Sequence, residues 1–168
     1  EIEERGLGIK LYPGQEIFGR GEFVEHLLSG ELITINGSRY PLVEFPFAVR
    51  SKYVIEKMGQ LISEGFIPII AHPERYTFVS ENFDSLTELK KMGCLVQINT
   101  GSFKGVFGST AKNISEKILD KRMAAHSPFV RSPFLADAHE HISERYSTDY
   151  AKRLLSLNPK AIIQNKTI

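Results

Sequence analysis

A chain of 168 residues with 42% hydrophobic content suits one globular domain with an adequate core, without the bias of a disordered or fibrous sequence. Its formal net charge of +1, from 21 basic and 20 acidic residues, gives no global attraction to nucleic acid or to an anionic membrane surface, so any anion must be bound locally. No apolar run approaches the roughly 20 residues needed to cross a bilayer. Glu1-Ile-Glu-Glu-Arg5 is unlike a signal peptide, and the single Cys94 excludes an internal disulfide, so a cytoplasmic protein is expected.

Gly6 to Tyr12 is a candidate strand, and Pro13-Gly14 is a turn signal that puts Gln15 and Glu16 on the loop beyond it. A short helix follows over Glu22 to Leu28, with Gly30 past its end. Leu32 to Ile35, Asn36-Gly37 and Arg39 to Val43 have the form of a hairpin, because Asn-Gly supplies the positive φ angles of a type I′ turn. Pro41 would then mark an edge arm. Ser51 to Glu64 carries an apolar stripe of Val54, Ile55, Met58, Leu61 and Ile62, and Gly65 sits where a left-handed C-terminal residue belongs.

The apolar run through Ile69, Ile70 and Ala71 reads as a buried parallel strand delivering His72, Glu74 and Arg75 at its C-terminal end, where α/β sheets place their chemistry. Phe83, Leu86, Leu89 and Met92 mark a second amphipathic helix stopped by Gly93. Leu95 to Ile98 is the next strand, and Asn99 to Phe103 is the loop after it. Ser109 to about Ala125 is helical, and Phe134 to Ala136 is a strand that Pro133 shortens. A last helix runs from Thr148 to Leu157 and ends at Asn158-Pro159. Alternating strands and helices predict an α/β fold with a parallel sheet and no internal division.

Three strand ends supply oxygen or nitrogen ligands: Glu16, His72, and Asp137 with His139. In an extended segment Asp137 and His139 would point to the same side, as side chains alternate with period two. Each group alone is equally a capped strand end, a surface ion pair or a turn. Together, at the ends of apolar strands in a βα series, they point to one metal site. His26, His126 and His141 read as surface, capping or loop residues, and Cys94 as a small buried hydrophobe. Asn99 is equally a site residue or a turn former.

Pro13-Gly-Gln-Glu16-Ile17, Leu42-Val-Glu-Phe-Pro46, Ile69-Ile-Ala-His-Pro-Glu-Arg-Tyr76, Gln97-Ile-Asn-Thr-Gly-Ser102 and Asp137-Ala-His139 occur in an order that resembles a known family. It is the bacterial tyrosine-protein phosphatases of the polymerase and histidinol phosphatase (PHP) type, manganese-dependent enzymes associated with capsule and exopolysaccharide synthesis. The resemblance implies a distorted (βα)7 barrel holding up to three metal ions, with Mn2+ the expected cofactor. Glu16, His72, Asp137 and His139 would be metal ligands, Arg75 would hold the phosphate, and Arg145 would be the arginine that follows the last histidine. A metal-generated hydroxide would attack phosphorus as tyrosinate leaves. The expected partner is a phosphotyrosine protein, a bacterial tyrosine kinase of polysaccharide synthesis, and the chain is a candidate homo-oligomer. The Asp-x-His-x-His motif that opens the family is missing, so residues 1–168 are expected to form a partial PHP-like domain. The alternatives are a non-catalytic assembly module and a PHP hydrolase of a small phosphate ester.

Overall fold

The computed structural model describes Gly6, Gly8 and residues 10–124 and 135–168. Among these, strands β1 (Glu16–Phe18), β2 (Leu42–Glu44), β3 (Ile69–Ile70) and β4 (Leu95–Val96) form one parallel sheet in the order β1-β2-β3-β4. Helices α1 (Phe23–Leu28), α2 (Ser51–Ser63), α3 (Thr77–Glu81), α4 (Asp84–Met92), α5 (Thr100–Phe103) and α6 (Gly108–Asp120) alternate with the strands or follow them. The C-terminal third is helical, with α7 (Leu135–Arg145), α8 (Thr148–Lys152), a π-helical turn at Arg153–Leu157, and α9 (Asn158–Ile163).

The sheet register sorts side chains onto two faces. Ile17, Val43, Ile70 and Val96 are aligned across the four strands and share a core with Val24 and Leu27 of α1, Val54, Met58 and Leu61 of α2, and Leu86 and Leu89 of α4. Each fully buried aliphatic side chain there contributes about 1.5–3 kcal/mol. On the opposite face Leu42, Ile69 and Leu95 align and pack with Ile35, Tyr40 and, from α9, Ile162. Glu16 is in register with Leu42, so it stands on this second face.

Helix ends follow local chemistry. After α2, Gly65 takes φ +85°, its N–H donates to Ile62 O, and Phe66 N–H donates to Leu61 O, the paired bonds of a Schellman stop. Gly93 at φ +109° ends α4 in the same way, with Cys94 N–H donating to Leu89 O.

Several elements differ from those read in the sequence. Of the strand expected at Gly6 to Tyr12, Leu7 and Ile9 lie outside the described residues; Lys10 to Gln15 are exposed and not in a strand, and β1 begins at Glu16, where Ile17 can enter the core. Asn36 and Gly37 do adopt positive φ, 52° and 64°, but in a 3-10 turn over Ile35–Gly37 rather than in a hairpin. Leu42 and Val43 are buried on both faces, so β2 is an interior parallel strand between β1 and β3. Pro41 is tolerated because its carbonyl is the group that pairs, accepting from Ile69 N–H at 2.8 Å.

Asn99 to Phe103 is largely a helical turn, α5. The expected strand at Phe134 to Ala136 is replaced: from Leu135 onward the chain is helix α7, while His126, Pro133 and Phe134 lie outside the described residues. Ala138 and Ile142, four apart, are the buried stripe of α7, and Asp137 in its first turn and Arg145 in its last suit the helix dipole. The last helix does not end before Pro159. The π turn at Arg153–Leu157 widens the helix and Pro159 opens α9, so the path continues to Ile163. Among the described residues no helix is long and apolar enough to cross a membrane.

Candidate metal centre

Three side chains meet beside the sheet, from the first residue of β1, the last of β2 and the turn after β3. Glu44 closes β2 two residues after Leu42 and so shares the face of Glu16. His72 follows β3 in the left-handed conformation, φ 33° and ψ 55°, a backbone state that costs a β-substituted residue on the order of 1 kcal/mol and that clusters at functional sites. The turn aims the imidazole back across the sheet. Its Nε2 lies 3.1 Å from Glu16 Oε1 and 3.4 Å from Glu44 Oε1, and one ligand atom from each of the three residues falls within 4.8 Å of the others.

His72 is buried, with Nδ1 lacking any hydrogen-bond partner. Burial lowers its pKa below the ordinary imidazole value, and the nearby charges of Glu44 and Glu16, which pull upward, do not offset it. A neutral ring has one N–H, and here one nitrogen faces two carboxylates. That donor set is two hard oxygens and an imidazole nitrogen on a concave surface, and it fits a divalent cation.

Arg75, in the 3-10 turn Pro73–Arg75, lies beside this cluster. Its guanidinium is 4.3 Å from the centre of the Phe47 ring and 4.5 Å from that of Phe107. Among the described residues it has no carboxylate ion-pair partner. The cluster, Arg75, Gln97, Asn99 and Phe107 line a cleft of about 260 Å³. Beneath it, Glu74 Oε1 accepts from Asn99 N–H at 2.9 Å and from Ser102 Oγ–H at 2.7 Å, tying the β3 turn to α5 and placing Asn99. Burial pushes the Glu74 carboxyl up to about 7, against the opposing pull of those two hydrogen bonds and of Arg75.

The sequence model of the family described as "Capsular polysaccharide synthesis, CpsB/CapC" matches residues 1–164. The chain belongs to the CpsB/CapC family. It is 36% identical to the putative tyrosine-protein phosphatase CapC of Staphylococcus aureus over 174 residues, covering 99% of this chain and 67% of that one. It is 30% identical to the tyrosine-protein phosphatase YwqE of Bacillus subtilis (strain 168) over 168 residues, covering 96% of this chain and 66% of the relative. The chain therefore spans about two thirds of the length of these curated relatives. A solved structure from work on YwqE of Bacillus subtilis and CpsB of Streptococcus pneumoniae, described as unique metal-dependent tyrosine phosphatases, superposes with a TM-score of 0.88 at 28% identity. That match covers 99% of this chain and 70% of the other.

Within this CpsB/CapC chain the residues singled out from sequence divide into two groups. Glu16, His72 and Arg75 come together, although Glu16 opens a strand rather than following one. Glu44 was missed. The Leu-Val-Glu ending of its strand is the same signal that drew attention to His72, but the hairpin assignment hid it.

Asp137, His139 and Arg145 neither line the cleft nor join the three ligand atoms. Asp137 pairs with Lys104, His139 is exposed, and Arg145 contacts Glu116 at 3.2 Å and Asp120 at 3.4 Å on α6. Two positions apart on a helix do not share a face, so the period-two spacing that would have joined Asp137 and His139 in a strand separates them in α7. Asn99 is at the cleft, whereas His26 Nδ1 lies 3.0 Å from Glu31 Oε2 and His141 Nε2 lies 2.9 Å from Glu116 Oε1.

Proposed function

We propose that this chain is a metal-dependent protein-tyrosine phosphatase acting in the control of capsular polysaccharide synthesis, on a phosphotyrosine protein of the cytoplasm such as the tyrosine kinase of that system. The observation that carries it is an arginine with two aromatic rings against it and, among the described residues, no carboxylate ion-pair partner, beside a Glu-Glu-His cluster. The relatives' description as tyrosine phosphatases supports it.

Charge explains why both parts are needed. A phosphate dianion brought to about 4 Å from a carboxylate is repelled by about 4 kcal/mol per unit charge at an effective dielectric of 20. Arg75 alone does not offset Glu16 and Glu44 together. Glu16, Glu44 and His72 would hold a divalent cation, with Mn2+ favoured by the two hard oxygen donors and the imidazole. Such an ion supplies positive charge for the phosphate oxygens and lowers the pKa of water.

The chain's own residues then have defined tasks. Glu16 and Glu44 fix the cation by charge, and His72 fixes it by direction, its ring held against Phe47 and Tyr76 at centroid distances of 6.3 and 6.0 Å. Arg75 presents a planar fork to two phosphate oxygens, with the Phe47 and Phe107 rings 4.3 and 4.5 Å from it limiting its movement. The finer fold we propose is the wall of a (βα)7 barrel in a single domain. Strands added in one direction, β1-β2-β3-β4, suit a closing barrel better than a doubly wound sheet, where the order reverses. We assign one cation to Glu16, Glu44 and His72 and leave further ions, and roles for Asp137, His139 and Arg145, outside this set.

The test is manganese binding measured alongside hydrolysis of a phosphotyrosine peptide, on the chain and on His72→Ala. Stoichiometric metal and metal-dependent turnover in the parent are expected, with both lost in the variant and folding retained. A variant that kept full activity would remove the cluster from the mechanism.

A further inference from the structure

Arg75 has a second side. Across it from the metal cluster lies a larger cleft of about 400 Å³, walled by Phe47, Phe107, Thr77, Ser80, Thr110 and Ala111. Arg75 and Phe107 line both clefts, so the guanidinium and one ring form the partition between them. The volume is of the size that takes an organic group rather than a solvent molecule or a lone phosphate.

The lining is specific in charge. Among the described residues lining it, the carboxyl and guanidinium groups are those of Glu74 and Arg75, and burial keeps the Tyr76 phenol protonated; Glu74 is 1% exposed and engaged with Asn99 and Ser102, which leaves Arg75 as the accessible charge among them. Beyond it the walls are rings, methyl groups and hydroxyls. The Ser80 hydroxyl donates to Thr77 O at 2.7 Å, and its lone pairs remain for an amide N–H. Phe47 and Phe107 are 43% and 42% exposed, and both converge on the same cation at the mouth of the two clefts. A single exposed ring is ordinary, whereas paired rings flanking one charged group mark a surface for a chain to lie on.

We infer that this second cleft is a specificity subsite for an uncharged apolar side chain one or two residues from the phosphotyrosine of a polypeptide substrate. This rests on the phosphatase proposal. The occupant follows from adjacency: Arg75 and Phe107 line both clefts, so a peptide whose phosphotyrosine reaches Arg75 from one side runs past the second cleft, and in an extended chain the backbone position two residues on is roughly 7 Å along. The rings and methyls bury that side chain, while the Thr77, Ser80 and Thr110 hydroxyls meet the peptide's amides.

The experiment uses a pair of manganese-dependent assays with phosphotyrosine peptides differing only at neighbouring positions, leucine against aspartate, and a small aryl phosphate as a third substrate. Thr110→Trp and Ser80→Trp, both at exposed lining positions on different helices, fill the cleft from two elements. In the parent, kcat/KM is expected to favour the leucine peptide by about tenfold. In both tryptophan variants that ratio falls to within about twofold, while the variants still hydrolyse the aryl phosphate. The ratio is taken within each protein, so a general loss of activity cancels. A parent without preference, or a preference that survives in both variants, overturns the subsite. A parent that hydrolyses the aryl phosphate and both peptides without distinction sinks the subsite alone. A parent that hydrolyses none of the three sinks the phosphatase proposal and the subsite together.

Discussion

At the residue scale, Arg75 differs from a surface cation in what holds it. Two rings lie at 4.3 and 4.5 Å, and among the described residues no carboxylate forms an ion pair with it, so its charge and planar fork are available to a ligand. Lysine in its place keeps the charge and loses both the fork and the stacking. Arg75→Lys is therefore expected to lower kcat/KM for a phosphotyrosine peptide by about 10–100-fold, the loss of one bidentate charge-assisted contact, with metal content unchanged. Steady-state kinetics together with metal analysis checks this, and equal loss of metal would count against a phosphate clamp. Glu16, His72 and Arg75, which the structure brings together, stand out in the sequence because each is a polar residue beside an apolar run. Glu44 carried the same mark and was obscured by an Asn-Gly pair that takes the expected positive φ angles without making the expected hairpin.

At the element scale, the close approach of β1 and β2 controls the spacing of Glu16 and Glu44. Gly19, just past β1, donates its N–H to Glu44 O at 2.7 Å. A Cβ there would sit 2.5 Å from Cε1 of Phe45 and 2.9 Å from Cγ1 of Val43, inside the core. Phe45 is fixed in turn by edge-on contacts to Phe23, Tyr53 and Tyr76, so it has little room to give. Gly19→Ala is expected to destabilise the fold by about 1–3 kcal/mol, as overpacking does, and to weaken metal binding through Glu44. Urea denaturation and a metal titration measure the two effects; a variant of unchanged midpoint and affinity would show that the ring shifts freely. α7 illustrates the opposite limit of sequence reading. Leu135-Ala-Asp-Ala is compatible with a short strand or a helical turn, and the spacing of Ala138 and Ile142 on the core decides for the helix.

At the scale of the whole molecule, a cation at Glu16, Glu44 and His72 would bridge β1, β2 and the turn after β3. It binds only when those strands are in register, so it stabilises the folded chain by mass action. At a concentration of 100 times its dissociation constant the gain is about 2.7 kcal/mol, equivalent to a rise in Tm of about 5–10 °C for a chain of this size. Thermal melts with manganese and with chelator should show that difference, and Glu16→Gln combined with Glu44→Gln should abolish it. A melt insensitive to metal in the parent would argue against a site shared by three strands.

The sequence by itself determined the alternation of strands and helices, the stops at Gly65 and Gly93, and the polar cargo of the β3 end. Those depend on contacts within a few residues, where hydrophobic period and backbone sterics are decisive. Only the tertiary structure decided that Glu44 stands with Glu16 and His72, and that Arg75 lies against two phenylalanines. Both are set by the parallel register of the strands and by packing between segments distant in the chain, and neither leaves a periodic trace in the order of residues.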